Sequence, residues 1–213
     1  MNIYTLVLTQ LQQSRSALYA AFGILAVVFA VVIAVHLGFE VSFARLSRDP
    51  AAILMAPVYI GLLSNLGVVF WSAAAAVCFF GALVCDQRAG GVRGFLIASG
   101  SLTVLLMLDD LFLFHEVIFP KYFGIREKWV MISYMALLAV ILVKYHRVIL
   151  NTKYVVLALS LVFFMLSIFF DKVFTMFGEI HLLEDGAKFC GIVIWMVYFV
   201  IVSSSAPKRL VSG

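Results

Sequence analysis

The chain has 213 residues, of which 65% are hydrophobic and only 12% charged, with a mean hydropathy of +1.14 and a formal net charge of +4. An ordinary soluble domain is roughly 45–50% apolar and about 25% charged, so a soluble globule could not cover this much apolar surface with so few charges. That excludes a cytosolic enzyme, a disordered tail and a secreted disulfide scaffold. Most Lys and Arg fall in short loops, which reads as a membrane topology signal and not as a nucleic-acid footprint.

A hydrocarbon core about 30 Å thick needs about 20 apolar residues as helix. Measured on that scale, the sequence predicts an all-α, polytopic membrane protein built as a bundle of six transmembrane helices. Residues 1–17 carry Ile3, Leu6, Val7 and Leu11 among polar residues, the spacing of an amphipathic helix lying on the membrane surface. The transmembrane domain follows at 18–205. Span one covers Leu18–Leu37, and no cleavable signal peptide is expected, because this run is too long and no A-x-A site follows it. Pro50 to Pro57 encloses AAILMA, either an interfacial helix or the start of a tilted second span. Span two covers Val58–Val84 and span three Gly94–Phe119, the latter with charges near its end. Span four, Trp129–Val143, is short but flanked by Lys128 and Lys144, which can snorkel. Spans five and six cover Tyr154–Phe174 and Gly186–Ser204, leaving 206–213 as a short cytoplasmic tail. Cys78, Cys85 and Cys190 lie inside apolar runs without metal-type spacing and read as small buried hydrophobes. Trp71, Trp129, Trp195 and the many Phe read as interfacial belts and lipid-facing bulk.

The charges then sort by side. The side holding the N-terminus carries Arg15, Arg88, Arg93, Lys144, Arg147, Lys153, Lys208 and Arg209, with Asp86 its lone acid. The other side carries Arg45, Arg48, Lys121, Arg126 and Lys128 in loops, Lys172 and Lys188 near span ends, and the remaining ten acids. The positive-inside rule places both termini in the cytoplasm, in the plasma (inner) membrane.

The densest polar signal is LMLDDLFLFHE, Leu106 to Glu116. Asp109 lies roughly 22 Å into span three at about 1.5 Å per residue, and an ionisable group at such depth is by default a functional-site candidate. Asp109 and Glu116 share a helix face, whereas Asp110 and His115 point elsewhere, so one straight helix cannot gather all four. A second signal is EIHLLEDGAKF, Glu179 to Phe189. There His181 stands one turn before Glu184 and Asp185, and Lys188 one turn after them. His36 with Glu40, and Asn65 with Ser72, are weaker pairs that read as an interfacial helix end and as interhelical hydrogen-bonding groups.

Imidazole and carboxylate ligands from several helix ends suit a divalent metal, zinc first. His115, His181, Glu184 and Asp185 are the candidate ligands. Asp109, Asp110, Glu116 and Lys188 are the candidate catalytic groups around a metal-activated water. The alternatives at each position are a buried ion pair, with Lys188 as partner, or a hydrogen-bonded carboxyl pair for Asp109 and Asp110, a wet helix end for His115 and Glu116, and helix capping for His181, Glu184 and Asp185.

Ser64-Asn65 in span two, Gly100-Ser101 and then Leu108-Asp109-Asp110 in span three, His115, and His181 leading an acidic turn resemble the alkaline-ceramidase-like membrane hydrolases. The resemblance implies a zinc-activated water and an amide or ester of a lipid as substrate. That family has seven spans and a His-x-x-x-His pair in the last; here Asp185 stands fourth after His181.

Three functions follow from these residues. The first is a metal-dependent membrane enzyme with its His/carboxylate site near the outer face, acting on a lipid or small apolar substrate. The second is a proton, cation or small-solute permease, which needs a polar path running inward from Asp109 through Ser101 or Ser72. The third is an accessory subunit of a larger membrane complex, with a membrane-protein partner or a second copy as neighbour. There is no Gly-rich phosphate loop and no Gly-x-Ser-x-Gly elbow.

Overall fold

The computed structural model describes residues 3–57, 59–85, 90–174 and 181–205. Expectations for Asp86, Arg88, Glu179 and the tail at 206–213 lie outside these residues, as do those for the side chains of Lys172 and His181. The described chain is helical: α1 (Ile3–Phe39), α2 (Phe43–Ser47), α3 (Pro50–Leu54), α4 (Leu62–Val84), α5 (Gly90–Phe112), a π-helical turn (Phe114–Ile118), α6 (Phe119–Phe123), α7 (Glu127–Lys144), α8 (His146–Leu150), α9 (Tyr154–Phe174) and α10 (His181–Ser205).

Five described helices are long and apolar enough to cross a membrane: Leu18–Phe39, Leu62–Val84, Gly91–Phe112, Tyr154–Asp171 and Leu182–Ser205. The protein is therefore an all-α membrane protein. α7 has the length, 18 residues, but carries Glu127, Lys128 and Lys144 at its ends.

The chain divides into two units, residues 1–60 and 61–213. In the first, the expected surface helix and first span form one continuous helix of 37 residues. Its end is capped by a return of the chain: Glu40 takes a left-handed φ of 54°, the His36 ring stacks on Phe43 at 4.0 Å, and its Nδ1 bonds the Val41 carbonyl at 2.7 Å. α3 begins at Pro50, with Asp49 capping the N–H groups of Ala51 and Ala52. His36 and Glu40 thus belong to a helix end, as their spacing suggested.

In the second unit α10 lies between α9 and α4, and α4 packs in turn on α5. The reason is an apolar stripe of helical period on each partner. α4 buries Trp71, Ala74, Cys78 and Ala82, and α10 buries Ile192, Trp195, Tyr198, Phe199 and Val202. Within lipid, helices gain little from excluding water and are held by close contact and hydrogen bonds. The small residues deliver that contact: a Cβ on Gly100 would stand 3.0 Å from Cys78 Cβ, and one on Gly191 would stand 2.8 Å from the Phe164 ring. Trp71 and Trp195 correct the belt reading. Both are 3% exposed and stack edge-on at 6.2 Å in the middle of the core, while Trp129 is exposed.

Candidate functional site

Span three does not run straight to Phe119. α5 stops at Phe112, and Leu113 adopts a left-handed backbone with φ 53° and ψ 47°. A non-glycine residue there costs about 1–2 kcal/mol. The bend folds the next turn back over the end of α5, and His115 returns to Asp109. The His115 backbone N–H donates to Asp109 Oδ1 at 2.9 Å, and its ring Nδ1 bonds Asp109 Oδ2. Tyr134 Oη, from α7, donates to Oδ1 at 2.9 Å. Asp109 is 4% exposed, and its two oxygens accept from a backbone amide, a ring and a phenol. Three donors onto one carboxylate offset the cost of burying it.

Asp110, one residue on, faces α4 and α10. Trp71 Nε1 donates to its Oδ2 at 3.0 Å, and Lys188 Nζ forms an ion pair with its Oδ1. The Lys188 side chain is 39% exposed and that of Asp110 11%, so the pair lies at the mouth of the bundle. Ser64, Gly67, Asp110, Asp185 and Lys188 line a pocket of about 30 Å³, room for about two waters.

The end of α5, the π-helical turn and the start of α10 thus hold most of the expected site residues, in two sets of pairs around Asp109 and around Asp110. Asp109, Asp110, His115 and Lys188 are engaged in the pairs just described. Glu116 is half exposed and stands 3.5 Å from His115 Nε2. Asp185 lines the small pocket, and Glu184 occupies the first turn of α10. Among the described residues no group of three or more His, Cys, Asp or Glu side chains gathers within reach of one metal ion; the His181 side chain is outside that set. His115 lies beyond the membrane-spanning stretch of α5. Its hydrogen bond to Asp109 chiefly, with the charges of Asp109 and Glu116, raises its pKa above the ordinary 6.5, against a lowering by burial.

Tyr134 and Trp71 were missed by the sequence reading. Trp71 carried one usable signal, since it sits mid-span, where an indole N–H needs a buried acceptor. Tyr134 carried none. Below the ion pairs the bundle is aromatic. Trp71 stacks on Phe164 at 5.6 Å, Trp195 meets Phe199 at 5.0 Å, and the Trp195 N–H is taken by Thr103 Oγ1 at 3.0 Å. Ser72 Oγ donates to the Val68 carbonyl at 2.8 Å, and Ser101 is exposed on the outer side of α5. Gly100 serves close helix contact.

The family described as "Domain of unknown function (DUF8692)" matches residues 21–202. The chain belongs to that family. The DUF8692 match takes in all the residues of both carboxylate clusters, and its description names no activity. No curated protein and no solved structure matches the chain.

Proposed function

We propose that the chain is a membrane enzyme whose chemistry lies at the Asp109–His115 end, with a lipid or small apolar molecule as substrate. The observation that carries this reading is the hold of buried Asp109 on His115 through both its backbone N–H and its ring Nδ1. A carboxylate that fixes one ring nitrogen as donor leaves the other, Nε2, as a proton acceptor. Nε2 faces Glu116 at 3.5 Å, at the rim, so a proton taken by the ring has an exit to solvent. Lys188, held by Asp110, puts a positive charge beside the same mouth for negative charge that develops on a reacting carbonyl. Exposed Leu111, Phe112 and Leu113 flank the approach with apolar surface. The resemblance of Asp109, Asp110 and His115 to the alkaline-ceramidase-like hydrolases favours an amide or ester bond as the one cleaved. The aromatic layer beneath the site and the internally bonded Ser72 support an enzyme ahead of a permease.

In this reading α7 is the sixth span. Its 18 residues reach about 27 Å at 1.5 Å per residue, and its terminal charges lie where they can snorkel. Both termini are then cytoplasmic, in the plasma (inner) membrane, with the site on the outer side. A divalent ion, zinc first, is an addition to this reading. His115 Nε2 would be a ligand with Glu116 beside it, and Asp109 would orient the ring as outer-shell carboxylates do.

The test is purified protein in vesicles of mixed phospholipid and amide-linked sphingolipid, with products read by mass spectrometry and metal content measured in parallel. Product formed by the wild type and lost in His115→Ala and Asp109→Asn is the expected result. Product unaffected by His115→Ala, or none from any amide or ester lipid supplied, overturns the reading. Metal bound by the wild type and absent from His115→Ala assigns Nε2 as a ligand; equal metal in both assigns it as the proton acceptor.

A further inference from the structure

α5 carries Asp109 near one end and Val92 near the other, about 25 Å away at 1.5 Å per residue. Beside Val92 the bundle opens into a second and larger cavity of about 400 Å³, within the range of pockets that hold small ligands. Its polar lining comes from α8, the α8–α9 connection and the end of α10: Arg147, Asn151, Thr152, Lys153 and Ser205. Two are cations, three are neutral, and no carboxylate stands among the described lining residues. Neither cation takes part in an ion pair among the described residues. The rest of the lining is aliphatic: Val92, Val148, Ile201 and Val202.

Two of the neutral groups are held in place. Thr152 Oγ donates to the Ile149 carbonyl at 2.7 Å and meets buried Tyr198 Oη at 2.9 Å; Asn151 Nδ2 donates to the Arg147 carbonyl at 2.9 Å. The α8–α9 connection, with Lys153 in it and Arg147 one turn before it, is thereby tied to α10 at Thr152. A guanidinium and an ammonium with no ion-pair partner among the described residues, set beside aliphatic lining, attract an anion that brings its own apolar part. The cavity opens where spanning helices α5, α9 and α10 begin or end, the depth at which lipid phosphates lie, and basic pockets between transmembrane helices bind anionic headgroups there.

We infer that this cavity is a binding site for a phosphate-bearing anion. Arg147 and Lys153 hold the phosphate, Asn151, Thr152 and Ser205 line the rest of the headgroup, and Val92 and Ile201 receive the first apolar atoms behind it. The phosphate comes from an anionic phospholipid or from free phosphate in the aqueous phase, and the arms of one experiment separate the two. The full chain is prepared in detergent. Retained and added lipid is measured by native mass spectrometry and thermal melting against phosphatidylglycerol, phosphatidylcholine and inorganic phosphate. The expected result is a phosphatidylglycerol adduct on the wild type, weakened roughly tenfold or more in the Arg147→Gln/Lys153→Gln double variant and unchanged in Lys144→Gln, which removes a nearby cation that does not line the cavity. Displacement of that adduct by inorganic phosphate at millimolar concentration assigns free phosphate as an occupant as well. Phosphate stabilisation without a lipid adduct, lost in the same double variant, assigns free phosphate alone. Equal phosphatidylglycerol binding in wild type and double variant, equal weakening by Lys144→Gln, or no response to either probe overturns the site. The lipid-cleavage assay above uses residues at the other end of α5, so failure of one proposal leaves the other standing.

Discussion

Asp109 and Asp110, at one end of α5, face donors supplied by the protein itself; Arg147 and Lys153, beside its other end, face a cavity without a carboxylate among its described lining residues. The first arrangement neutralises charge internally. Each acid is met by a ring, phenol, indole or ammonium from a different segment, and what remains adjustable is the position of a proton. The second holds two cations with no carboxylate beside them among the described lining residues, an arrangement that suits an anion from outside. Two regions of one helical bundle thus divide the work of charge: one suits proton transfer, the other capture.

Breaking the internally neutralised end has the largest expected effect. Asp109→Ala strands the His115 ring and amide and the Tyr134 hydroxyl, and is expected to cost about 3–5 kcal/mol, read as a lower melting temperature in detergent. Asp110→Ala is expected to cost less, about 2 kcal/mol, because Lys188 still reaches solvent. The double variant Asp110→Asn/Lys188→Met should recover most of that loss, and failure to recover would mean that Asp110 matters chiefly through Trp71. Trp71→Phe removes a donor and also empties the volume of the indole's second ring from the core, so about 2 kcal/mol is expected; Tyr134→Phe removes one donor and keeps its ring, so about 1 kcal/mol is expected. Smaller still is the strain at Leu113. Leu113→Val should destabilise, since a β-branched residue tolerates φ 53° poorly, and Leu113→Gly should be close to neutral, the relieved strain offset by a looser unfolded chain.

The comparison sharpens with pH. The hydrogen bond to Asp109 raises the His115 pKa on folding. A raised histidine stabilises the fold fully below its unfolded value near 6.5 and loses that contribution as pH rises through its folded value. Melting of chelator-treated wild type is therefore expected to fall across that interval, and Asp109→Asn to flatten the fall. An unchanged slope in Asp109→Asn would show that the two groups are not coupled.

Much of the architecture was legible in composition and run length. Four of the five membrane-spanning helices in the described chain lie within a residue or a few of their expected bounds, because an apolar run of about 20 residues has few other uses. α7 is the hard case: it has the length of a short span but carries Glu127, Lys128 and Lys144 at its ends. The Asp109–Asp110 pair was legible from depth alone. Its partners were not. Spacing on a straight helix sends His115 away from Asp109, and only the turn at Leu113, a residue type with no preference for that conformation, brings it back. Tyr134 and Trp71 reach the acids across helix contacts that pairwise sequence spacing cannot express.

Trp71 has one further consequence. Its indole touches the Asp110 carboxylate through Nε1 while its ring lies flat against Phe164. An indole emits at wavelengths that shift with the field around it, so the residue is a fluorophore wired to the charge state of the pair. Any event that moves a proton or a counter-charge at Asp110 carries its own optical report, readable without a label.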